Sequence, residues 1–176
     1  MMLSKYFLFK KIKALSQIAS LRPHCYLSLD DIRHVLVICE ASCWKSVSPC
    51  IATLKSLGKS VNVCVFIRKA DKAPIWDYAY LLVEAEKDLN LWGFPNKNIK
   101  NQLNGFKVDM LLDLTGGKIP AMRYLMLQHT ASFKVGAKHS SEDNIYDFSI
   151  LIKEDIYDIP YFFGQIINYL QAIRSK

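Results

Sequence analysis

From His34 to Cys39 the chain reads His-Val-Leu-Val-Ile-Cys, an apolar run with no alternation of polar and apolar positions. A strand with one wet face alternates; a strand buried on both faces does not, and such strands belong to parallel sheets covered by helices on either side. That run constrains everything after it. Trp44 to Leu57 carries Val47, Ile51, Leu54 and Leu57 at helical spacing, and Gly58 follows as a stop signal. Val61-Asn-Val-Cys-Val-Phe-Ile67 is then a second strand, rich in β-branched residues. Strand, helix and strand in close succession make a βαβ unit, expected to cross over in the right-handed sense.

The same alternation continues. Tyr80-Leu-Leu-Val83 fits either a short strand or the end of a helix from Trp76, and Leu91-Trp-Gly-Phe-Pro95 reads as a turn. A short helix runs to about Leu103 and ends at Asn104-Gly105. Val108-Asp-Met-Leu-Leu-Asp113 is a strand, Pro120 to Thr130 a helix, and Phe133-Lys-Val135 a short strand closed by Gly136. Tyr146 to Ile152 is the last strand, and Ile156 to Ile173 a closing helix with Ile159, Phe163, Ile166, Ile167 and Leu170 along one face. The pattern predicts an α/β fold: a three-layer, Rossmann-like, doubly wound and mainly parallel sheet of five to six strands, preceded by an N-terminal helix.

Charge divides the chain. Residues 1–24 hold Lys5, Lys10, Lys11, Lys13 and Arg22 and no acid; the other 18 basic and all 16 acidic side chains fall in residues 25–176, a balance of +2. This reads as a basic amphipathic arm over 1–24 and a single α/β domain over 25–176. A nearly balanced body without interleaved basic and aromatic residues argues against nucleic acid. Within the arm, residues 3–19 fit a helix with Leu8, Ile12, Leu15 and Ala19 on one face. Packing on the domain is the first reading of that face; a weak membrane-surface contact through residues 1–20 is the second. The lysines interrupt the apolar stretch at 6–9 too early for a signal peptide or a membrane span, which points to the cytoplasm, with a peripheral contact at the inner membrane face as the alternative. Cys25, Cys39, Cys43, Cys50 and Cys64 have neither disulfide-framework nor zinc spacing and read as reduced thiols.

Ligands of open α/β sheets bind beyond the carboxyl ends of the strands. Three loops qualify: Glu40-Ala-Ser-Cys43, Leu114-Thr-Gly-Gly-Lys118 and Gly136-Ala-Lys-His-Ser-Ser141. In the second, Gly116 and Gly117 let the backbone approach a ligand, the following helix offers free amides, and Lys118 adds a charge for an anion. The competing explanation is a tight turn with Thr115 capping the helix and Pro120 in its first turn, since neither a Walker A nor a full G-x-G-x-x-G spacing is met. Asp113, at a strand end, invites a phosphoacceptor reading, but only Glu40 could join it in holding a metal, and helix capping or sheet-edge polarity is the simpler role. Cys43 precedes a helix without an assignable base partner. His24, His34, His129 and His139 are scattered and suit surface or capping roles, and Asp109 and Asp147 suit strand ends. The candidate ligand-binding residues are therefore Ser42, Cys43, Asp113, Thr115, Gly116, Gly117 and Lys118, with no catalytic set, no metal site and no cofactor.

Residues 34–67 (HVLVICEASCWKSVSPCIATLKSLGKSVNVCVFI) and 106–136 (FKVDMLLDLTGGKIPAMRYLMLQHTASFKVG) resemble the N-terminal, acceptor-side Rossmann half of heptosyltransferase-like GT-B glycosyltransferases. The likeness rests on the strand "VDMLLDL", the helix after it and "FKVG" as the next strand. With the basic leading helix and the Leu91–Pro95 turn, the whole chain is similar to a small bacterial family of unknown function. Where the glycosyltransferase pattern has a Gly-Asp that supplies the catalytic carboxylate, this chain has Ser42-Cys43-Trp44, and no second Rossmann half follows. The resemblance thus implies the fold without the activity. The expected function is a non-catalytic module that binds a small anionic ligand or a protein partner; the alternatives are a transferase-type subunit that needs a partner for its missing half, and a peripheral membrane protein.

Overall fold

The computed structural model describes residues 2–21, 25–69, 71, 80–138, 145–152 and 157–173, with side chains from Tyr6 onward. Helix α1 (Met2–Ala19) is followed by β1 (His34–Glu40), a 3₁₀ turn (Ala41–Cys43), α2 (Trp44–Ser56), β2 (Ser60–Ile67) and β3 (Tyr80–Glu84). Then come α3 (Lys97–Gly105), β4 (Met110–Asp113), α4 (Pro120–Gln128), β5 (Phe133–Lys138), β6 (Phe148–Leu151) and α5 (Ile159–Ala172). The strands form one sheet in the order β3-β2-β1-β4-β5-β6, and every neighbouring pair is parallel. The predicted Rossmann-like α/β architecture is what the chain adopts.

Strand parity explains the two faces. Val35, Val37 and Cys39 of β1 turn toward α2 and α5, where Val47, Ile51, Leu54, Phe163, Ile166 and Leu170 meet them. Leu36 and Ile38 turn the other way, onto Ile99 and Leu103 of α3 and Met122, Leu125 and Met126 of α4. All five β1 residues from Val35 to Cys39 are fully buried, each apolar side chain stabilising the fold by about 1.5–3 kcal/mol. Helix α1 lies outside this sandwich: Leu8 and Ile12 are buried against Tyr124 of α4, with Leu15, Phe94 and Leu127 around them. The face expected from sequence is the one that packs.

Several boundaries differ from the sequence pattern for identifiable reasons. Tyr80–Glu84 is a strand because β2 pairs with it; the residues of the alternative helix start at Trp76 lie outside those described. The last strand shortens to Phe148–Leu151, and the closing helix begins at Ile159 rather than Ile156, where Asp158 accepts a hydrogen bond from Tyr161 N at 2.7 Å and Pro160 occupies the first turn. Gly136 does not close β5; the strand runs through it to Lys138. A methyl at Gly136 would stand 2.3 Å from Cε1 of Tyr146, so this glycine gives the tyrosine ring its place against the strand.

The strand ends are pinned by carboxylates, as expected. Asp109 Oδ2 accepts from the amides of Arg33 (2.9 Å) and His34 (2.8 Å), and Asp147 Oδ2 from Lys134 N at 2.8 Å. His34 is exposed, but His129 is buried rather than superficial. Its Nδ1 accepts from Ala131 N, which leaves Nε2–H to donate to the Leu103 carbonyl in the last turn of α3. Burial holds its pKa below the ordinary histidine value. His24 and His139 lie outside the described residues.

Candidate functional site

Strand order reverses between β1 and β4. Their neighbouring carboxyl ends feed helices on opposite faces of the sheet, α2 on one and α4 on the other. A crevice opens at such a switch point in open α/β sheets. Here the 3₁₀ turn Ala41–Cys43 follows β1 and the loop from Leu114 to Ile119 follows β4. The helices begin without side-chain caps: neither Cys43 before α2 nor Ile119 before α4 makes a capping hydrogen bond.

Asp113 is the centre of the β4 side. It is fully buried in an interior strand, so the expected edge or helix-capping role is not the one it has. Its Oδ1 accepts from Thr115 N at 2.8 Å and from Thr115 Oγ1 at 2.7 Å, and its Oδ2 accepts from the Tyr146 hydroxyl. Burial raises the carboxyl pKa, while the hydrogen bonds from Tyr146 and Thr115 oppose that rise. The Tyr146 phenol is pushed well above its usual range, first by burial and then by the Asp113 charge. Thr115, expected to cap α4, instead binds back to Asp113 and accepts from Gly117 N at 3.3 Å; Ile119 holds the cap position. Pro120 sits in the first helical turn as expected.

The two glycines of the loop both adopt left-handed backbone, φ +68° at Gly116 and +70° at Gly117, a conformation that disfavours any side chain. Space disfavours one as well. A methyl at Gly116 would lie 3.0 Å from the ring of Tyr157, and at Gly117 it would lie 3.4 Å from the Ala137 carbonyl and 3.6 Å from the Tyr146 hydroxyl. Two tyrosines thus lie against the Gly-Gly backbone. Tyr157 packs edge-tilted on Phe162, ring centroids 5.5 Å apart, and its hydroxyl is buried without a hydrogen-bond partner. Burial raises its pKa, followed by the nearby Asp113, Cys43 and Cys50, while the Gly116 backbone amide beside its oxygen opposes the rise.

On the β1 side, Ser42 is exposed and Cys43 half-buried, their Oγ and Sγ 3.9 Å apart. Glu40 closes β1 and is paired with Arg68 at 3.0 Å. All five cysteines are free; burial pushes the Cys50 thiol up to about 11 and raises Cys39 and Cys64 as well. Lys118 is exposed at the mouth of the β4 loop. Among the described residues no three His, Cys, Asp or Glu side chains gather as a metal site would require. Of the third candidate loop, 136–138 belong to β5 and 139–141 lie outside the described residues.

Five of the seven sequence candidates, Asp113 at the end of β4 and Thr115, Gly116, Gly117 and Lys118 in the loop after it, lie together, and Ser42 and Cys43 belong to the turn at the adjacent strand end. Tyr146 and Tyr157 are the residues that the sequence pattern did not bring to this site, and Gly136, named as the head of the third loop, acts from within β5. Only Gly136 carried a local signal, a glycine inside an apolar strand pattern, which often marks a close approach.

No curated protein matches this sequence. A model of a family of unknown function, DUF6913, matches residues 5–173, nearly the whole chain, and the protein belongs to that family.

Proposed function

We propose that this protein is a binding module without catalytic activity of its own, and that it takes a small anionic ligand of the phosphate type in the crevice between the turn after β1 and the loop after β4. The observation that carries this reading is the Tyr157 hydroxyl. It is a buried donor whose proton has no acceptor, beside the Gly116 amide and close to Cys43, at the point where the strand order reverses. An unsatisfied buried hydroxyl costs about 1–3 kcal/mol, a cost that a ligand oxygen accepting its proton would offset. Ser42 adds an exposed hydroxyl and Lys118 an exposed positive charge at the rim. The pairing of Glu40 with Arg68 removes what would otherwise repel an anion.

The same geometry supports a non-catalytic reading. The carboxylates at the ends of β1 and β4 are both engaged, Glu40 by Arg68 and Asp113 by Thr115 and Tyr146. The likeness to the acceptor half of GT-B glycosyltransferases favours, as a second reading, a transferase-type subunit completed by a partner; the Ser42-Cys43-Trp44 stretch in place of a Gly-Asp weighs against it.

The test is a thermal-shift screen against inorganic phosphate, nucleotides, nucleotide-sugars, sugar phosphates and acyl-CoA compounds. A ligand at about 100 times its Kd adds about 2.7 kcal/mol, which is roughly 5–11 °C for a chain of this size. Tyr157→Phe and Lys118→Ala should both fold with unchanged or slightly higher stability and should both lose the shift. A flat screen, or a hit that both variants keep, overturns the proposal.

A further inference from the structure

Helix α1 uses its apolar face inside the protein, where Leu8 and Ile12 are buried against α4. That stripe is therefore closed to lipid. A second apolar surface remains in solvent beside it. Phe7 is 55% exposed on α1, and Leu91 and Trp92 are 91% and 51% exposed at the tip of the 91–95 turn. Phe7, Lys11, Trp92 and Phe94 line one open groove of about 440 Å³. Tyr6 and Phe9 are exposed on the same helix.

Helix and turn form a single surface because the turn is fixed. The Asn90 side chain accepts from Trp92 N and Phe94 N, both at 3.0 Å, and Leu89 bridges to Pro95. The backbone at Gly93 packs so closely on α1 that a methyl there would lie 3.2 Å from Leu8 Cδ2. The side chains at Leu91 and Trp92 are thus presented outward from a braced turn.

Lysines dominate the charge around this surface; the acid at the base of the turn, Asp88, is held by the Glu84 amide and the Asn96 side chain. Lys10, Lys11 and Lys13 are exposed on α1, and residues 1–24 contain no acid. The glutamates that precede the turn are engaged by lysines of their own region, Glu84 by Lys87 and Glu86 by Lys69. A second copy of α1 placed against this surface would bring lysines onto lysines with no acid on either helix to pair them. An anionic lipid surface meets both features. Its headgroups neutralise lysines, and the boundary beneath them accepts Trp and Tyr rings, polar at one end and apolar at the other, together with apolar Phe and Leu side chains. No described helix is long and apolar enough to cross a membrane, so the contact is peripheral.

We propose that this protein docks on an anionic lipid surface through Phe7, Leu91 and Trp92, with Lys10, Lys11 and Lys13 over the headgroups. Co-sedimentation of the full chain with phosphatidylcholine vesicles, with and without phosphatidylserine, tests it. Binding should require phosphatidylserine and fall with added salt. Lys10→Gln with Lys11→Gln should weaken partitioning about 25-fold, near fivefold per lysine, and Leu91→Ser with Trp92→Ser by about tenfold or more. All these positions are exposed, and a melting curve checks that each variant stays folded. Absence of binding, equal binding to neutral vesicles, or binding that neither variant weakens overturns the proposal. So does a wild-type dimer in light scattering that Leu91→Ser with Trp92→Ser dissociates, because the surface would then belong to a second copy.

Discussion

Gly136→Ala tests whether the Asp113–Tyr146 contact holds the β4–β5 end of the sheet together. The added methyl would meet Cε1, Cζ and Cδ1 of Tyr146 at 2.3, 2.4 and 2.8 Å. Carbon atoms in contact sit about 3.5–4.0 Å apart, so the ring must move by an ångström or more. Overpacking of that kind costs about 1–3 kcal/mol. The shift also withdraws the phenol from Asp113 Oδ2, a hydrogen bond to a buried charged group worth about 1.5–3 kcal/mol. Removing a glycine restricts the unfolded chain and returns only about 0.4–1 kcal/mol. The net expectation is a loss of about 2–5 kcal/mol, read as a change in urea midpoint at constant slope or as a melting temperature lower by roughly 4–20 °C. A double-mutant cycle identifies the cause. In a Tyr146→Phe background the ring remains, so Gly136→Ala should still be costly, but by less, since the hydroxyl is already gone. In a Tyr146→Ala background it should be neutral or slightly stabilising. A Gly136→Ala cost that persists unchanged without the ring would refute the reasoning.

Two further predictions concern the buried histidine and the start of α5. His129 is neutral when folded and its pKa is depressed, so above its unfolded value of about 6.5 it has no pH-dependent effect. Below that value the unfolded chain binds the extra proton first, and stability should fall by up to about 1.4 kcal/mol per pH unit until the folded pKa is reached. Urea midpoints of wild type and His129→Gln between about pH 7.5 and 5.5 should converge on acidification; parallel curves would contradict this. Asp158→Ala removes the cap of α5 and should cost about 1 kcal/mol, with amide exchange quickening first at Tyr161; unchanged exchange there would show that the cap is dispensable.

The fold was legible because parallel strands buried on both faces leave unbroken apolar runs. β1, β2 and β4 were readable from composition alone, and the helices between them from spacing and stop signals. β3 was ambiguous because five residues carry too little periodicity; pairing with β2 decides it. Gly136 misled because a glycine after Val135 looks like a strand end, whereas the need for it lies in Tyr146, ten positions on and in contact only after folding. The start of α5 was present in the sequence as Asp158 followed by Pro160, a capping pattern outweighed by the apolar residue at Ile156. Asp113 was visible as a polar residue at a strand end. Its burial was not, because the phenol that satisfies it stands 33 residues away.

The Gly116-Gly117 pair shows why the site resisted a reading that the fold did not. Glycines in a loop after a buried strand permit something to come close to the backbone, and sequence cannot say whether the visitor is a ligand or another part of the chain. Here much of that approach is taken by the protein itself, Tyr157 at 3.0 Å and Tyr146 at 3.6 Å from where β-carbons would be. An anion in the proposed crevice is therefore not cradled by an open ring of glycine amides, as in a phosphate-binding loop. Its oxygens meet a phenol whose proton has no acceptor, and its charge meets Lys118. This is why Tyr157→Phe, which removes one oxygen atom and no packing, is the sharper probe. An amide cradle would keep its ligand through that change, and the site proposed here would not.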